Sequence, residues 1–486
     1  MSHRKLWPLT PRGMLYGAIP AAGAEHKEIM VDQRIHPERV QPLNDEPAAS
    51  GSYVLYWMQA SVRAAHNHAL EYAIGRANEA DQRLLVAFGL TEDYPEANLR
   101  HFAFLLEGLA DAREALKERG VKLVVRRGSP DEVALELCRD ASLVVCDRGY
   151  LRHQRRWREN VAQNAGREVV QVESDVAVPV ELASDKKEYA ARTLRPKINR
   201  LRDEFLVGLS PTGVEKQSVN MSVSGEDLDR REELLQSLDI HRSVGPIEDF
   251  RGGHSEARAA LDDFLANNFS SYDENRNQPQ TDDVSHMSKY LHFGHISPVE
   301  IALAVMDSGG PEQTVESYLE ELIVRRELAM NFVYYEPDYD SLECLPQWAR
   351  DTLREHASDA REHIYTTEQL EAAETHDEYW NAAMREMVHT GYMHNYMRMY
   401  WGKKILEWTE TPEQAHATTL SLNNKYFLDG RDPNSYANVA WIFGQHDQGW
   451  KERPVFGKVR YMAASGLERK SRPKAYVEKV EQRISD

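Results

Sequence analysis

The chain changes character with the period of its hydrophobic positions. Five short apolar runs punctuate the first third: VLYWM (54–58), RLLVAFGL (83–90), VKLVVRRG (121–128), SLVVCD (142–147) and REVVQVES (167–174). Between them, near 62–79, 98–119, 130–140 and 151–164, apolar residues recur at the helical period. Strand–helix alternation at this spacing predicts βαβ units, and hence an α/β domain over 51–178 with a parallel sheet and helices on both faces. Residues 1–50 read as a leader arm, with regular structure expected from Tyr53. From 179 to 250 the pattern loosens into turn signals and an acidic stretch, GEDLDRREELL (225–235). This predicts a linker with one or two short helices. After 250 no strand run of similar strength recurs, so a larger all-α domain is expected over 251–486, with helices starting at Ser255 and Thr314.

The most distinctive pattern runs from Gly391 to Trp441. In GYMHNYMRMYWGKKILEW, the residues Met393, Met397, Tyr400, Trp401, Ile405 and Trp408 fall near one broad helical side. Trp401 and Trp408 are two turns apart and share a face. The following LSLNNKYFLDGRDPNSYANVAW is polar, with Asp-Gly and Asp-Pro breakers. A rigid aromatic helix followed by a polar loop suits a large planar cofactor. Trp380, Trp401, Trp408 and Trp441 lie close together in sequence. Hydrophobic core is the ordinary role of such residues; base stacking and stepwise electron transfer are the alternatives.

Other residues carry chemistry by their spacing. Parallel sheets hold ligands at the carboxyl ends of their strands, here the loops after Met58, Leu90, Gly128 and Asp147. The first strand is not followed by GxGxxG, which argues against an NAD-type site. The run DRGYLRHQRRWR (147–158) carries five arginines, as an anion site or as the exposed start of an amphipathic helix. Glu321 and Arg325 stand at i and i+4, either as a surface ion pair or as a pair facing a cavity where the carboxyl group meets a substrate carbonyl. Arg276 and Asn277, beside Tyr272, suit phosphate and base-edge contacts. Arg398 and Asp429 are candidates for an ion pair.

Composition narrows the choice. The 486 residues are 41% hydrophobic, enough for sizeable cores, yet no apolar run is long enough to span a membrane. Pro8, Pro11 and Pro20 interrupt the first 30 residues, so no signal peptide is read there, and Met30 offers an alternative start. Three cysteines without a CxxC pair indicate a reducing, cytoplasmic setting and argue against an iron–sulfur cluster. The histidines lack ligand spacing for a metal, and the Walker A, GxSxG and HExxH motifs of kinases and hydrolases do not occur. The net charge of −19 opposes general nucleic-acid binding. The segment 451–486 reverses that sign, with ten Lys/Arg, including Arg453 and Arg460, against five Asp/Glu. It is either a solvated terminal helix or a basic face.

Several strings do more than their pattern. YLHFGHIS (290–297), EELIVRRELAMNF (320–332), THDEYWNAA (375–383), YMRMYWGKKILEW (396–408) and LDGRDPNSYANVAW (428–441) closely resemble the class II cyclobutane pyrimidine dimer photolyases. RGSPDEVALEL (127–137) and EYAARTLRPKI (188–198) resemble that family's antenna domain and linker. The resemblance spans roughly residues 35–475. It implies an N-terminal antenna domain and a helical domain holding FAD, reduced and anionic when active. The activity it implies is light-driven electron transfer to a pyrimidine dimer flipped out of UV-damaged double-stranded DNA, formally a carbon–carbon lyase acting as a monomer.

Residue roles follow from the same resemblance. Tyr272, Ser285, Met287 and Ser288 match FAD contacts, with Asp429 and Asp432 on the other side of the cofactor. Arg398 matches the flavin-side partner of Asp429, and Asn423 the asparagine facing the reactive ring nitrogen. Glu321 matches the carboxyl group that hydrogen-bonds the dimer. Arg276, Asn277, Met399 and Trp441 line the expected lesion pocket, with Arg325 beside Glu321 and Arg453 and Arg460 on the DNA side. Trp401, Trp380 and Trp408, in that order outward, match a photoreduction chain. The sequence departs from the familiar pattern at Ala60-Ser61-Val62-Arg63 and at Asn67-His68-Ala69-Leu70, on the antenna side. The antenna candidate is a chromophore of the 8-hydroxy-5-deazaflavin type, with a folate as the second choice. A cryptochrome-like photoreceptor on the same scaffold and (6-4) photoproduct repair, using His394 or His446, remain the alternatives. Against the photoreceptor, no long tail follows the basic segment.

Overall fold

The computed structural model describes residues 35–485. All five apolar runs are strands of one six-stranded sheet: β2 (Tyr53–Trp57), β3 (Arg83–Leu90), β4 (Lys122–Arg127), β5 (Ala141–Asp147) and β6 (Val169–Val172). The spatial order is β1-β6-β5-β2-β3-β4, and the pairs among β2–β6 are parallel. β2 is buried along its whole length between β5 and β3, which is why it reads as unbroken apolar sequence. The helices α1 (His68–Glu79), α2 (Leu99–Glu118), α3 (Pro130–Cys138) and α4 (Arg152–Asn164) follow their strands. Asn67 caps α1 by accepting the Leu70 N–H at 3.0 Å, and Asn98 and His101 form a capping box on α2.

Two expectations fail at the margins of this sheet. Regular structure begins before Tyr53: residues 40–42, read as leader arm, form β1 (Val40–Pro42), antiparallel to β6, so the sheet is not wholly parallel. The rest of the predicted arm up to residue 34 lies outside the described residues. The predicted linker is also more than a tether. It carries α5 (Val180–Ala183), α6 (Ala191–Phe205, fifteen residues long) and α7 (Arg231–Ser237). Its irregular part lies along the β4 edge, where the Glu226 N–H donates to Val125 O at 2.7 Å and the Ser218 N–H to Gly120 O at 2.8 Å. An edge strand left bare would offer unpaired backbone groups to another chain, and this stretch covers them.

The helical part comprises α8 (His254–Asn267), α9 (Tyr272–Asn275), α10 (Ser288–His292), α11 (Pro298–Met306), α12 (Glu312–Leu319), α13 (Arg326–Tyr335), α14 (Gln347–Glu355) and α15 (Thr367–Glu371). It continues through α16 (Glu378–Thr390), α17 (Asn395–Trp408), α18 (Pro412–Tyr426), α19 (Pro433–Ile442), α20 (Ala464–Lys470) and α21 (Pro473–Ser485). A π-helical turn, Glu320–Arg325, joins α12 to α13. Thr314 is not a helix start, since α12 begins at Glu312 after Pro311. Ser255 does not cap α8 either. Asp111 of α2 does so from outside, accepting the N–H groups of His254 at 2.8 Å and Ser255 at 3.2 Å.

That cap is one of several charged ties between sheet layer and helices. Arg100 of α2 donates to Tyr426 O at 2.7 Å and Val388 O at 2.6 Å. Arg63, fully buried, donates to Gly294 O at 2.9 Å and pairs with Asp175 at 2.7 Å. The buried carboxyl group of Glu327 accepts the N–H groups of Ala177 and Val178. Burial pushes Glu327 up to about 8, against the pull of those donors and of Arg326. Among the described residues, no helix is long and apolar enough to cross a membrane.

Candidate functional site

α17 is the spine of the site. Arg398, on its first turns, makes a bidentate pair with Asp429, at 2.9 and 3.1 Å, and its guanidinium lies 3.8 Å from the Phe427 ring centroid. Burial disfavours the Asp429 carboxylate, but Arg398 and the Ser288 hydroxyl outweigh that cost and hold it below its ordinary value. The loop carrying Asp429 leaves α18 one turn after Asn423, whose side-chain amide donates to Asn424 at 3.1 Å. Gly402 lets α17 and α19 approach closely: a Cβ there would sit 2.0 Å from Ile442 Cδ1. Beside that contact, Trp441 is half-buried between the Lys403 ammonium and the Arg460 guanidinium, at 4.8 and 5.5 Å.

The three tryptophans meet. Trp380, on α16, stacks on Trp401 at 6.5 Å with 12° between planes and meets Trp408 edge-on at 5.7 Å. Its indole N–H donates to Trp401 O at 3.0 Å. Trp401 in turn lies 6.5 Å from Phe427, the ring under Arg398. The contact order is therefore Trp401, Trp380, Trp408, starting from the Arg398–Asp429 pair. Asp377, as N-cap of α16, fixes Trp380 by accepting its backbone N–H at 3.0 Å.

A second cluster forms across from this one. Arg276 pairs with Glu321 at 3.0 Å, and burial next to Glu321 raises the Tyr272 hydroxyl to about 12. Tyr318 stands 5.2 Å from Tyr272 and donates its hydroxyl to Ser285 at 2.8 Å. Ser285 and Ser288, three residues apart, thus connect the Glu321 cluster to the Asp429 cluster. The expected Glu321–Arg325 pair is absent, and the turn explains it. In a π-helix the register is i to i+5, so Arg325 meets Glu320 at 3.1 Å and stays half exposed, while Glu321 turns to Arg276.

Not every candidate joins these clusters. Met287 is buried in an apolar cluster beneath α10. Asn277 is exposed, and Met399 is half-buried next to Arg398. Asp432 stands apart from Asp429: it caps α19 through the Asn434 N–H at 2.8 Å and pairs with His292 at 3.3 Å. Arg453 is exposed against Tyr461, whereas Arg460 is tied to Asp447 at 2.9 Å. Of the ten C-terminal cations, Arg460, Lys479 and Arg483 pair with Asp447, Asp282 and Asp249. The other seven (Lys451, Arg453, Lys458, Arg469, Lys470, Arg472 and Lys474) are exposed, with no carboxylate partner among the described residues. Lys470 and Arg472 adjoin the Arg276 loop: Lys470 O accepts from Gln278 at 3.0 Å, and the Arg472 N–H donates to Gln280 at 3.3 Å.

A separate cleft opens at the carboxyl ends of β2, β3 and β5, lined by the loops after Met58, Leu90 and Asp147 and by α10, α13 and the start of α19. The predicted loop after Gly128 takes no part, because β4 lies at the edge of the sheet. Strand order reverses between β2 and β5, the switch point at which such sheets take ligands. Asp147 shapes this mouth by accepting the N–H groups of Gln59, Ala60 and Ser61 at 2.8–2.9 Å. The arginine run that leads into α4 and forms its first turns mostly fastens this region. Arg148 pairs with Glu173 and Glu181, and Arg152 with Asp340.

Comparison with known proteins places these features. Residues 54–216 match the family model described as DNA photolyase. A deoxyribodipyrimidine photo-lyase of Methanothermobacter thermautotrophicus is 51% identical over 448 residues, covering 92% of this chain and 98% of that protein. Two solved structures share the fold. A class III photolyase from Agrobacterium tumefaciens has a TM-score of 0.70 at 18% identity, covering 89% of this chain and 87% of that one. An archaeal photolyase from Sulfolobus tokodaii, solved with two FAD molecules, has a TM-score of 0.65 at 17% identity, covering 88% and 89%. At 51% identity over nearly the whole of both chains, the chain belongs to the DNA photolyase family.

Proposed function

We propose that the chain repairs cyclobutane pyrimidine dimers in DNA with light, as a deoxyribodipyrimidine photo-lyase. The observation that carries this is the agreement with a relative of that name over 92% of the chain. The residues present fit FAD. Ser285, Ser288 and Tyr272 supply hydroxyls, Arg398–Asp429 a neutral charged pair, and the Trp401 indole N–H is buried without an acceptor among the described residues. When bound and reduced, FAD supplies on illumination the electron that opens the cyclobutane ring, and recovers it afterwards.

The protein's own residues bind and orient. The Arg398–Asp429 pair holds a fixed dipole on the flavin side and, being internally balanced, tolerates a change of charge nearby. Asn423, whose amide can both donate and accept, would be the residue facing the flavin ring. Glu321, steadied by Arg276, offers its carboxyl group to a dimer carbonyl. Trp441 and Met399 supply apolar walls, and the unpaired cations around Lys470 and Arg472 take the DNA backbone. A dimer is cheaper to extrude than an intact pair because the lesion has already weakened its stacking. The contacts among Trp408, Trp380 and Trp401 support a path by which these rings would pass an electron towards the cofactor. The strings around Glu321 and Arg398 support assignment to class II. The (6-4) reading has no comparable support: burial lowers His394 to about 3 and His446 to about 4, and neither touches Glu321 or Arg276. The cleft at the sheet's carboxyl edge, with aromatic walls such as Phe88, Tyr94 and Trp157 and polar side chains such as Gln59, Gln154 and His292, supports a planar antenna chromophore such as an 8-hydroxy-5-deazaflavin.

The test is illumination of the reduced protein with dimer-containing duplex while thymine absorbance is followed. Recovery of absorbance in light and not in darkness is expected. No recovery with reduced FAD bound refutes the reading.

A further inference from the structure

The segment between α19 and α20 contains a small hairpin over 450–458. The Trp450 N–H donates to Lys458 O at 2.8 Å, and Arg453 and Gly457 exchange backbone hydrogen bonds at 2.9 and 2.8 Å. Val455 and Phe456 are buried in the helical core. Lys451, Arg453 and Lys458 face outwards, three of the seven exposed cations without a carboxylate partner among the described residues.

The hairpin rests on the end of α14. Gly457 packs so closely that a Cβ there would sit 2.1 Å from Thr352 Oγ1 and 2.7 Å from His356 Cδ2. The Lys458 N–H donates to the Thr352 hydroxyl at 3.0 Å, and the Val455 N–H to Asp359 at 2.9 Å. These ties hold a strained backbone. Val455 has a φ of +69°, a left-handed conformation rare for a β-branched residue, which persists only where the surroundings enforce it.

His356 joins the two parts. It is the C-cap of α14, and both of its ring nitrogens face carboxylates. Nδ1 lies 2.6 Å from Asp359, and Nε2 lies 3.2 Å from Glu452 of the hairpin. A neutral imidazole carries one N–H, so only the imidazolium donates to both. When the ring loses a proton, the shorter Asp359 contact retains the N–H, and a lone pair then faces the Glu452 carboxylate. Asp359 foremost, and Glu452 after it, raise His356 above its ordinary value of 6.5. The C-terminal end of α14 favours the same charge. Asp359 and Glu452 are the carboxylates within 4.0 Å of the ring among the described residues. Arg361 reaches Asp359 at its backbone carbonyl, at 2.8 Å, and Thr352 does not titrate. The clamp is therefore closed below the raised value and loses Glu452 as pH rises through it.

We propose that His356 is a positioning residue for DNA: held between Asp359 and Glu452, its imidazolium docks the 450–458 hairpin so that Lys451, Arg453 and Lys458 meet the phosphate backbone, and affinity for damaged duplex falls as the ring loses its proton. The proposal rests on the reading of this surface as the one that takes DNA.

The test follows, in darkness, the anisotropy of a dimer-containing duplex titrated with the FAD-loaded protein at fixed salt, from about pH 5.5 to 8.5, a range that brackets the ordinary histidine value. Wild-type affinity falls by about 2- to 5-fold across this range, the worth of a partly exposed ion pair. His356→Gln, which does not titrate, binds at the lower affinity throughout. Glu452→Gln keeps the histidine but supplies an amide that can donate to the neutral ring, and it too lacks the fall. Other titrating groups act alike in all three proteins, so the difference between profiles is the readout. Hydrogen exchange of the 450–458 segment, corrected for the intrinsic effect of pH, gives the same comparison without DNA: protection declines with pH in the wild type and not in His356→Gln. Parallel affinity profiles in wild type and His356→Gln overturn the proposal while the DNA surface stands. So does a fall retained in Glu452→Gln, or hairpin exchange that ignores His356. Absence of duplex binding at every pH overturns both readings.

Discussion

The seven unpaired cations of the C-terminal segment make a quantitative claim about DNA binding. The chain is strongly acidic overall, so its affinity for a polyanion must come from a local surface. Each phosphate neutralised releases condensed counter-ions and contributes about −0.9 to the slope of log affinity against log salt. Seven contacts set a limit near −6, and a rise from about 50 to 200 mM salt then weakens binding by on the order of 10³- to 10⁴-fold. Lys470 and Arg472 are the best placed, because their backbone hydrogen-bonds the loop that carries Arg276. Replacing both by Gln removes two contacts and makes the slope shallower by about 1.8. Both side chains are exposed, so stability changes by no more than about 0.5 kcal/mol. Fluorescence anisotropy of a dimer-containing duplex, titrated in darkness at several salt concentrations, measures the slope directly. A wild-type slope near zero, or a slope that the double variant leaves unchanged, refutes the assignment of this surface to DNA.

Three further outcomes are expected. Glu321→Gln keeps the shape of the side chain and removes its charge. Its pair with Arg276 is partly exposed, so stability falls by at most about 1 kcal/mol, whereas single-turnover repair by pre-reduced protein falls by on the order of 10²-fold; equal loss of bound FAD would make the residue structural. Trp380→Phe removes the 3.0 Å hydrogen bond to Trp401 O and the middle ring of the relay. Photoreduction of the oxidised protein slows while repair after chemical reduction persists; loss of both in time-resolved absorption contradicts a relay. Glu327 has an ordinary value of 4.5 and a folded value of about 8, so the folded state binds its proton more tightly than the unfolded one. Its contribution to stability is complete below about 4.5 and is lost as pH rises through about 8, so thermal midpoints of Glu327→Gln should lack this decline; parallel profiles for the two proteins refute it.

The sheet was legible because strands buried on both faces must be apolar throughout, as β2 is. β1 was not: it is a three-residue edge strand, Val-Gln-Pro, with two exposed positions, and it carries no pattern to read. The helix bearing Trp401 and Trp408 is clear from its period, whereas the Arg398–Asp429 pair becomes a distance only through long-range geometry. Contacts made between distant parts of the chain cannot be seen in a string of letters. The Asp111 cap is hidden in the same way, since Asp111 lies more than 140 residues from the helix it caps. The Glu321–Arg325 error came from assuming a uniform helical period where the chain departs from it.

That departure has a consequence for how this segment tolerates change. The turn Glu320–Arg325 holds one residue more than a regular helix would use, a rare interruption of the helical period. Deleting a residue there would relax the local backbone, yet it would rotate α12 against α13 by about 100°. Tyr318 would swing out from behind Ser285, and the carboxylate beside Arg276 would point elsewhere. Ease of folding and aim of the side chain are opposed at this point, and the chain has kept the aim.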